Sequence, residues 1–467
     1  MTTPGAPRLA DGLPFRRIAL VLTGGGALGA YEVGVLRVLE AVKLVPSVVL
    51  GVSIGAINAI AWVAAGHDST ALERVWRTAR GETLGVQWVS LTLRVTGALT
   101  ALIAAIELLL TTLGSREFSG AYWVWKHGSS SADLLSTQLD LALWVVLGLL
   151  GVLLVVHARR VARDLEGRAT GPDPTRLRRQ LQIVLIATAS LHALVWLMGW
   201  PWPHRFSASV VLLLTLAWVG STPGGAGHWL RGLALGLMPE TGGRGLWSGR
   251  ARRRILERLV AAGDSRRLLG AHTRITVTAL SIGTGRLVHF VSWPDPDPAF
   301  VARLEAEQGE VVPVKDVAEL IQAAVASSAI PGVFQPEPVA GRDCVDALGF
   351  SNQPLHVAIA EGADAVIVVL LSPSDGPAAA LAPEGVVALG GRLIELINWR
   401  DLQTELRHLP EGWSRDGAPA RVCVVEPPAA LPASLLIFDP EVAGTLIAAG
   451  ERDARAALER AGWLASS

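Results

Sequence analysis

The chain is short of cysteine, lysine and net charge, and each shortage removes a class of protein. Only Cys344 and Cys423 occur. They lie far apart, outside any metal-ligand spacing, which excludes a disulfide framework and a CxxC site and suits a reducing compartment. Lysine is confined to Lys43, Lys126 and Lys315, an arginine-for-lysine bias that fits GC-rich bacterial coding. With 41 basic and 41 acidic residues the formal net charge is zero, so no overall field recruits nucleic acid. There is no HExxH, no Walker loop and no Cys/His cluster, and therefore no metal or organic cofactor is implied. The first seventeen residues lack the apolar core of a signal peptide, which predicts a cytosolic N-terminal region.

Apolar residues are plentiful instead. A hydrophobic content of 51% and a mean hydropathy of +0.41 are high for a purely soluble chain and predict a part in lipid. Five segments differ in texture. Residues 1–17 form a polar tail. Residues 18–85 alternate short apolar runs (IALVL, SVVLGVS) with helical patterns (AYEVGVLRVLEAV, AINAIAWVAAG), a βαβα opening that predicts a mostly parallel sheet flanked by helices. Residues 86–245 carry long apolar runs at Val95–Leu113, Leu141–Val156, Leu181–Trp200 and Phe206–Ser221. Spanning a bilayer takes roughly 20 helical residues, so these runs predict an all-α transmembrane insert of about four helices. Arginines crowd the segment between the second and third runs and the segment after the fourth. Ten of the sixteen tryptophans fall between Trp88 and Trp247, several at run ends, as an aromatic belt requires. The expectation is a multi-pass inner-membrane protein with its catalytic domain facing the cytosol. Residues 246–375 return to the α/β texture, and residues 376–467 form a helical and strand extension.

Two glycine motifs carry the chemistry. LTGGGALG places Gly24, Gly25 and Gly26 between a strand and a helix, where backbone N–H groups can meet a negative charge. The stretch contains GxGxxG, but a dinucleotide site needs an acidic residue about 20 positions on, and none stands between Lys43 and Asp68. That region holds GxSxG instead, at Gly51, Ser53 and Gly55, in the strand–turn–helix setting of a nucleophile elbow. The plainer reading makes Ser53 a helix cap. A serine nucleophile needs a base. In the residue order of α/β hydrolases His356 and His408 are late candidates, but neither sits in a motif. Asp346, in SSAIPGVFQPEPVAGRDCVDALGFSNQPL, is the better one, while Asp343 and Asp364 read as surface charges.

LTGGGALGAYEVGVL, GVSIGAINA, ASSAIPGVF and VDALGFSNQPL, in this order, resemble the bacterial form of the patatin-like phospholipase family. The resemblance implies lipid acyl hydrolysis by a Ser-Asp dyad without histidine: Ser53 as nucleophile, Asp346 as base, and the amides of Gly24, Gly25 and Gly26 as oxyanion hole. The implied partners are a lipid bilayer and a lipid acyl ester. Two positions depart from the family pattern: Leu28 stands where Arg or Lys is usual, and Ala347 where Gly follows the aspartate. A glycine with positive φ at that point would leave Ala347 strained, so the alternatives are a weak or inactive patatin-like scaffold and, less favoured, a dinucleotide-binding oxidoreductase.

Overall fold

The computed structural model describes residues 9–10, 13–81, 88–112, 144–157, 244–270, 272–376, 386–416, 419–432, 435–436 and 438–465. The chain divides into two compact units, Met1–Val86 with Arg244–Ser467, and Gln87–Gly243. In the first unit, runs rich in Val, Ile and Leu form β1 (Ile18–Leu22), β2 (Val48–Val52), β3 (Arg274–Ser281), β4 (Leu287–Val291) and β5 (Gly309–Pro313). A short hairpin, β6 (Glu337–Val339) and β7 (Arg342–Val345), precedes β8 (Ala365–Val369) and β9 (Val422–Val425). Unbroken apolar strands belong in a sheet covered on both faces, and β2 and β8 are buried along their whole length.

The sheet order is β5-β4-β3-β2-β1-β8-β9, with the hairpin attached through β7 to β3. The five strands from β3 to β9 in that order run parallel, and β4 lies antiparallel to β3. Leu22 pairs with Gly51 on one side and with Val369 on the other. Three strands therefore end level on one rim, and the glycine loop, the Ser53 turn and Leu371 all leave from it. The carboxyl ends of such a sheet are where sites form.

Helix α1 (Ala30–Ala41) links β1 to β2, and α2 (Ile54–Ala64) and α3 (Thr70–Trp76) follow β2. In the second unit lie α4 (Trp88–Thr112) and α5 (144–157). The first unit continues with α6 (Arg250–Ala262), α7 (Pro298–Ala306), α8 (Val317–Ser327), α9 (Leu355–Ala360), α10 (Val386–Arg407) and α11 (Pro440–Arg460). Every residue of α2 is buried, as its all-round apolar sequence requires, against β2, α6 and α8. One core layer lies under α1, α2, α6, α8 and α11, and the opposite layer under α7, α9 and α10. Helices α1 and α11 cross backbone to backbone: a Cβ on Gly34 would overlap the Ile447 carbonyl, and one on Gly450 the Tyr31 carbonyl. Next to this crossing the Tyr31 hydroxyl donates to Asp453 Oδ2 at 3.1 Å.

The expected four-helix transmembrane insert, and with it the multi-pass inner-membrane placement, is not supported. Among the described residues no helix is long and apolar enough to cross a membrane. Most of the Val95–Leu113 run falls in α4, whose sequence is broken by Arg94, Glu107 and repeated threonines. Residues 144–156 of the Leu141–Val156 run fall in α5, and residues 141–143 lie outside the described residues. Small residues join the two helices: a Cβ on Gly97 would stand 2.6 Å from the Gly151 carbonyl oxygen. The Leu181–Trp200 and Phe206–Ser221 runs lie outside the described residues.

Gly34→Ala should lower the melting temperature measured by circular dichroism, because overpacking a close backbone crossing costs about 1–3 kcal/mol. Gly283→Ala, at a position with nothing within 4 Å, should leave it unchanged.

Candidate active site

Ser53 sits between the end of β2 and the start of α2 with φ 54° and ψ −122°. A non-glycine residue in this region stores strain of order 1–3 kcal/mol and persists only where its surroundings hold it. Here the glycines on either side admit the neighbours that do so: Gly51 abuts the backbone of Ala56, and Gly55 abuts the Leu22 carbonyl. The backbone N–H of Ser53 donates to Ser327 Oγ at 2.8 Å, and that hydroxyl donates in turn to the Thr278 carbonyl at 2.6 Å. The elbow is thereby fastened to α8 and β3. Gly66, with φ +75°, lies two residues past the end of α2.

Asp346 comes directly after β7 and is 1% exposed. Its backbone N–H donates to the Ala329 carbonyl at 3.0 Å. Ser327 and Ala329 both belong to the ASSAIPGVF motif, so one short segment anchors the serine and the aspartate. Asp346 Oδ1 accepts the Leu348 N–H at 3.0 Å, an Asx turn, while Oδ2 is buried without a conventional hydrogen bond. The Ser53 side chain lies close enough to the carboxyl to favour its ionised form. Such contacts commonly tighten only when substrate is bound. Burial pushes the Asp346 carboxyl up to about 7, against the pull of Ser53, the Leu348 N–H and the Arg252 cation.

Arg252, in α6, is itself buried. Its guanidinium lies 3.5 Å from the centroid of the Phe334 ring, and none of its three nitrogens makes a hydrogen bond among the described residues. Its charge acts on Asp346 and on Glu337, which is engaged by the Gly249 N–H and by Gln322.

Of the three loop glycines, two are required by geometry. A Cβ on Gly24 would come 2.9 Å from Ser53 Cβ, and Gly26 has φ +55° with the Leu435 carbonyl directly over it. The Gly24 peptide is held by Asn352: Gly24 N–H donates to Oδ1 at 2.9 Å, and Nδ2 donates to the Gly24 carbonyl at 3.2 Å. The N–H groups of Gly25 and Gly26 make no hydrogen bond among the described residues. Behind the loop, Glu32 is fully buried, and burial pushes its carboxyl up to about 8. It accepts from Asn58 Nδ2 at 2.7 Å, and Asn58 also holds the Gly29 carbonyl and the Trp76 indole N–H. This network ties α1, α2 and α3 together beneath the loop.

The structure gathers Ser53, Asp346 and the glycine loop, and leaves the other candidates elsewhere. His356 is paired with Glu405, and His408 bonds back to the Thr404 carbonyl on its own helix. Asp343 pairs with Arg244 on the surface, and Asp364 accepts the backbone N–H groups of Arg16 and Arg17. Ala347 is not strained: the left-handed position is Gly349, two residues on, with φ +79°. Leu28 packs half-buried against the core. Sequence reasoning passed over Ser327, Asn352, Arg252 and Asn58. Ser327, Asn352 and Asn58 lie inside quoted motifs, where a polar residue amid apolar or glycine-rich neighbours was the available signal. Among the described residues no three of His, Cys, Asp and Glu converge as metal ligands.

A parallel α/β sheet carrying a strained serine turn, a glycine loop and a buried carboxyl on one rim has the frame of a nucleophile-elbow protein. Residues 20–359 match the model of the patatin-like phospholipase family, and the chain belongs to that family. Membership supports a lipid acyl hydrolase. No curated protein matches the chain. Among solved structures it is similar to VipD from Legionella pneumophila, at 13% identity and a TM-score of 0.34, covering 97% of this chain and 70% of VipD. It is also similar to the type III effector protein ExoU, at 18% identity and a TM-score of 0.28, covering 96% of this chain and 53% of ExoU. A third likeness is to the SpcU–ExoU complex from Pseudomonas aeruginosa, at 17% identity and a TM-score of 0.21, covering 84% of this chain and 53% of that one.

Because burial raises the Asp346 carboxyl, its basic form grows as pH rises through about 7. With this carboxyl as the base, ester hydrolysis at low substrate should rise between pH 6 and 8. In Arg252→Met the lost cation no longer favours the carboxylate, and the rising limb of kcat/KM should move to higher pH. A limb that stays in place would show that Arg252 does not act on this carboxyl.

Proposed function

We propose that this chain hydrolyses acyl esters of lipids through a covalent acyl-enzyme on Ser53, with Asp346 as the only base. The observation that carries the reading is the buried Asp346 carboxyl close to a serine held at a strained elbow, with no histidine bonded to either among the described residues. In the first half-reaction Asp346 takes the Ser53 hydroxyl proton as Oγ attacks the ester carbonyl. The tetrahedral oxygen is taken by free N–H groups of the glycine loop, where one donor is worth about 3 kcal/mol of transition-state stabilisation. Collapse breaks the bond to the lipid alcohol, which leaves with the proton from Asp346. In the second half-reaction Asp346 deprotonates a water that attacks the acyl carbonyl, and the proton returns to Ser53 Oγ.

A carboxyl near pH 7 suits both roles, since it accepts a proton from a hydroxyl and returns it to an alkoxide without becoming trapped in either state. The ordinary backbone at Ala347 supports an active site rather than a degenerate one, because the departure from the family pattern costs no strain there. The substrate is a lipid ester met at the surface of a bilayer or micelle, and the two half-reactions need no cofactor.

A fluorophosphonate probe should label the purified protein on Ser53, and Ser53→Ala should abolish labelling. Asp346→Asn should retain the fold by circular dichroism while losing at least a hundredfold in turnover of a phospholipid in mixed micelles. Labelling at another serine, or full turnover in Ser53→Ala, would overturn the assignment.

A further inference from the structure

The three consecutive glycines of the loop order poorly by themselves, since glycine loses the most backbone freedom on folding. Something has to hold their peptide planes. The Asn352 carboxamide pairs with both polar groups of Gly24, its oxygen with the N–H at 2.9 Å and its nitrogen with the carbonyl at 3.2 Å. A carboxamide offers an acceptor and a donor side by side, which a carboxylate or a hydroxyl cannot match at this spacing. Asn352 is in turn fixed from outside the loop. Its backbone N–H donates to Asp401 Oδ2 at 3.0 Å, and the next residue, Gln353, donates from Nε2 to the Asn398 carbonyl at 2.8 Å. Asn398 and Asp401 lie a turn apart on α10, so the segment is clipped to one helix at two points. On its other side it grips the loop at two points.

We infer that Asn352 is the positioning residue of the oxyanion loop, anchored by Asp401, so that Gly24 serves as a fixed strut and the amides of Gly25 and Gly26 alone receive the developing negative oxygen. This rests on the hydrolase reading above and refines the expectation that all three glycine amides donate. The Gly24 N–H is already committed to Asn352. The N–H groups of Gly25 and Gly26 are not engaged among the described residues. Gly26 holds its left-handed backbone beneath the Leu435 carbonyl, which accepts the Ala27 N–H at 2.9 Å, so the loop is pinned immediately before and immediately after the two free amides. A loop held this way presents its donors without reorganising during the reaction, which is the source of an oxyanion hole's effect.

The test uses the full chain and two readouts, the rate of fluorophosphonate labelling of Ser53 and the kinetics of a short-chain p-nitrophenyl ester. Asn352→Ala should slow labelling and lower kcat at least tenfold while KM changes less than threefold and the circular dichroism melt stays cooperative. Asp401→Ala should give a smaller loss of kcat, and Asp401→Asn, which keeps an acceptor for the Asn352 N–H, should recover it severalfold. Should Asn352→Ala fail to fold, the Asp401 pair decides: equal kcat in Asp401→Ala and Asp401→Asn overturns the inference. A folded Asn352→Ala that labels at the wild-type rate, or loses only in KM, also overturns it and leaves the hydrolase reading intact. Absence of Ser53 labelling in the wild type would defeat the hydrolase reading, and this inference with it.

Discussion

The site depends on one stitch of hydrogen bonds at the end of α8. Ser327 takes the Ser53 N–H across 274 residues of sequence and hands its own proton to β3. Two residues later the Ala329 carbonyl holds the Asp346 N–H. Neither contact touches the reacting atoms, yet together they fix the distance between the two side chains. Strain at Ser53 is tolerable because this stitch, the packing of Gly51 on Ala56 and the all-round burial of α2 over-determine the turn. The rim of the sheet does the rest, since the level ends of β1, β2 and β8 bring three loops to the same height.

Charge is used sparingly and underground. Glu32, Arg252 and Asp346 are all buried, and of the three Glu32 alone is held by a side-chain amide. Burial raises both carboxyls well above their ordinary values. A carboxyl with a raised folded value binds its proton more tightly in the folded state than in the unfolded one. Between roughly pH 4.5 and 8 the folded chain therefore keeps protons that the unfolded chain has lost, and Glu32 makes stability fall as pH rises across that window. For Asp346 the same desolvation places the change of charge near neutral pH, as the proposed role of base requires. The cation at Arg252 moderates it from a distance, without the direct pairing that would make the carboxylate a poor base.

Much of the first unit is legible in the sequence because its signals are local. IALVL, the glycine loop and AYEVGVLRVLEA announce a strand, a tight turn and a helix within two dozen residues, and β2 and α2 do the same around Ser53. The supports of the site leave no such trace. Asn352 is an ordinary loop asparagine until its partners arrive, Gly24 from 328 residues before it and Asp401 from 49 residues after. Arg252 reads as one of several arginines on an amphipathic helix, and only tertiary packing buries it over Phe334. The left-handed turn after the aspartate falls at Gly349 rather than at residue 347, a displacement that sequence spacing cannot reveal. The transmembrane expectation failed for a different reason. Hydropathy registers composition, whereas a crossing needs uninterrupted apolar helical length, which no helix among the described residues provides; α4 is interrupted by Arg94 and Glu107 and meets α5 at a glycine pair.

The glycine crossing of α1 with α11, and the Leu435 carbonyl seated over Gly26, join the glycine loop and α1 to residues some four hundred positions downstream. A nascent polypeptide cannot finish shaping its opening loop until residues some four hundred positions downstream have left the ribosome. Such distant pairing slows folding, and it leaves a partly synthesised chain with the Ser53 turn but without the carbonyl and the helix that hold the neighbouring glycine loop and α1.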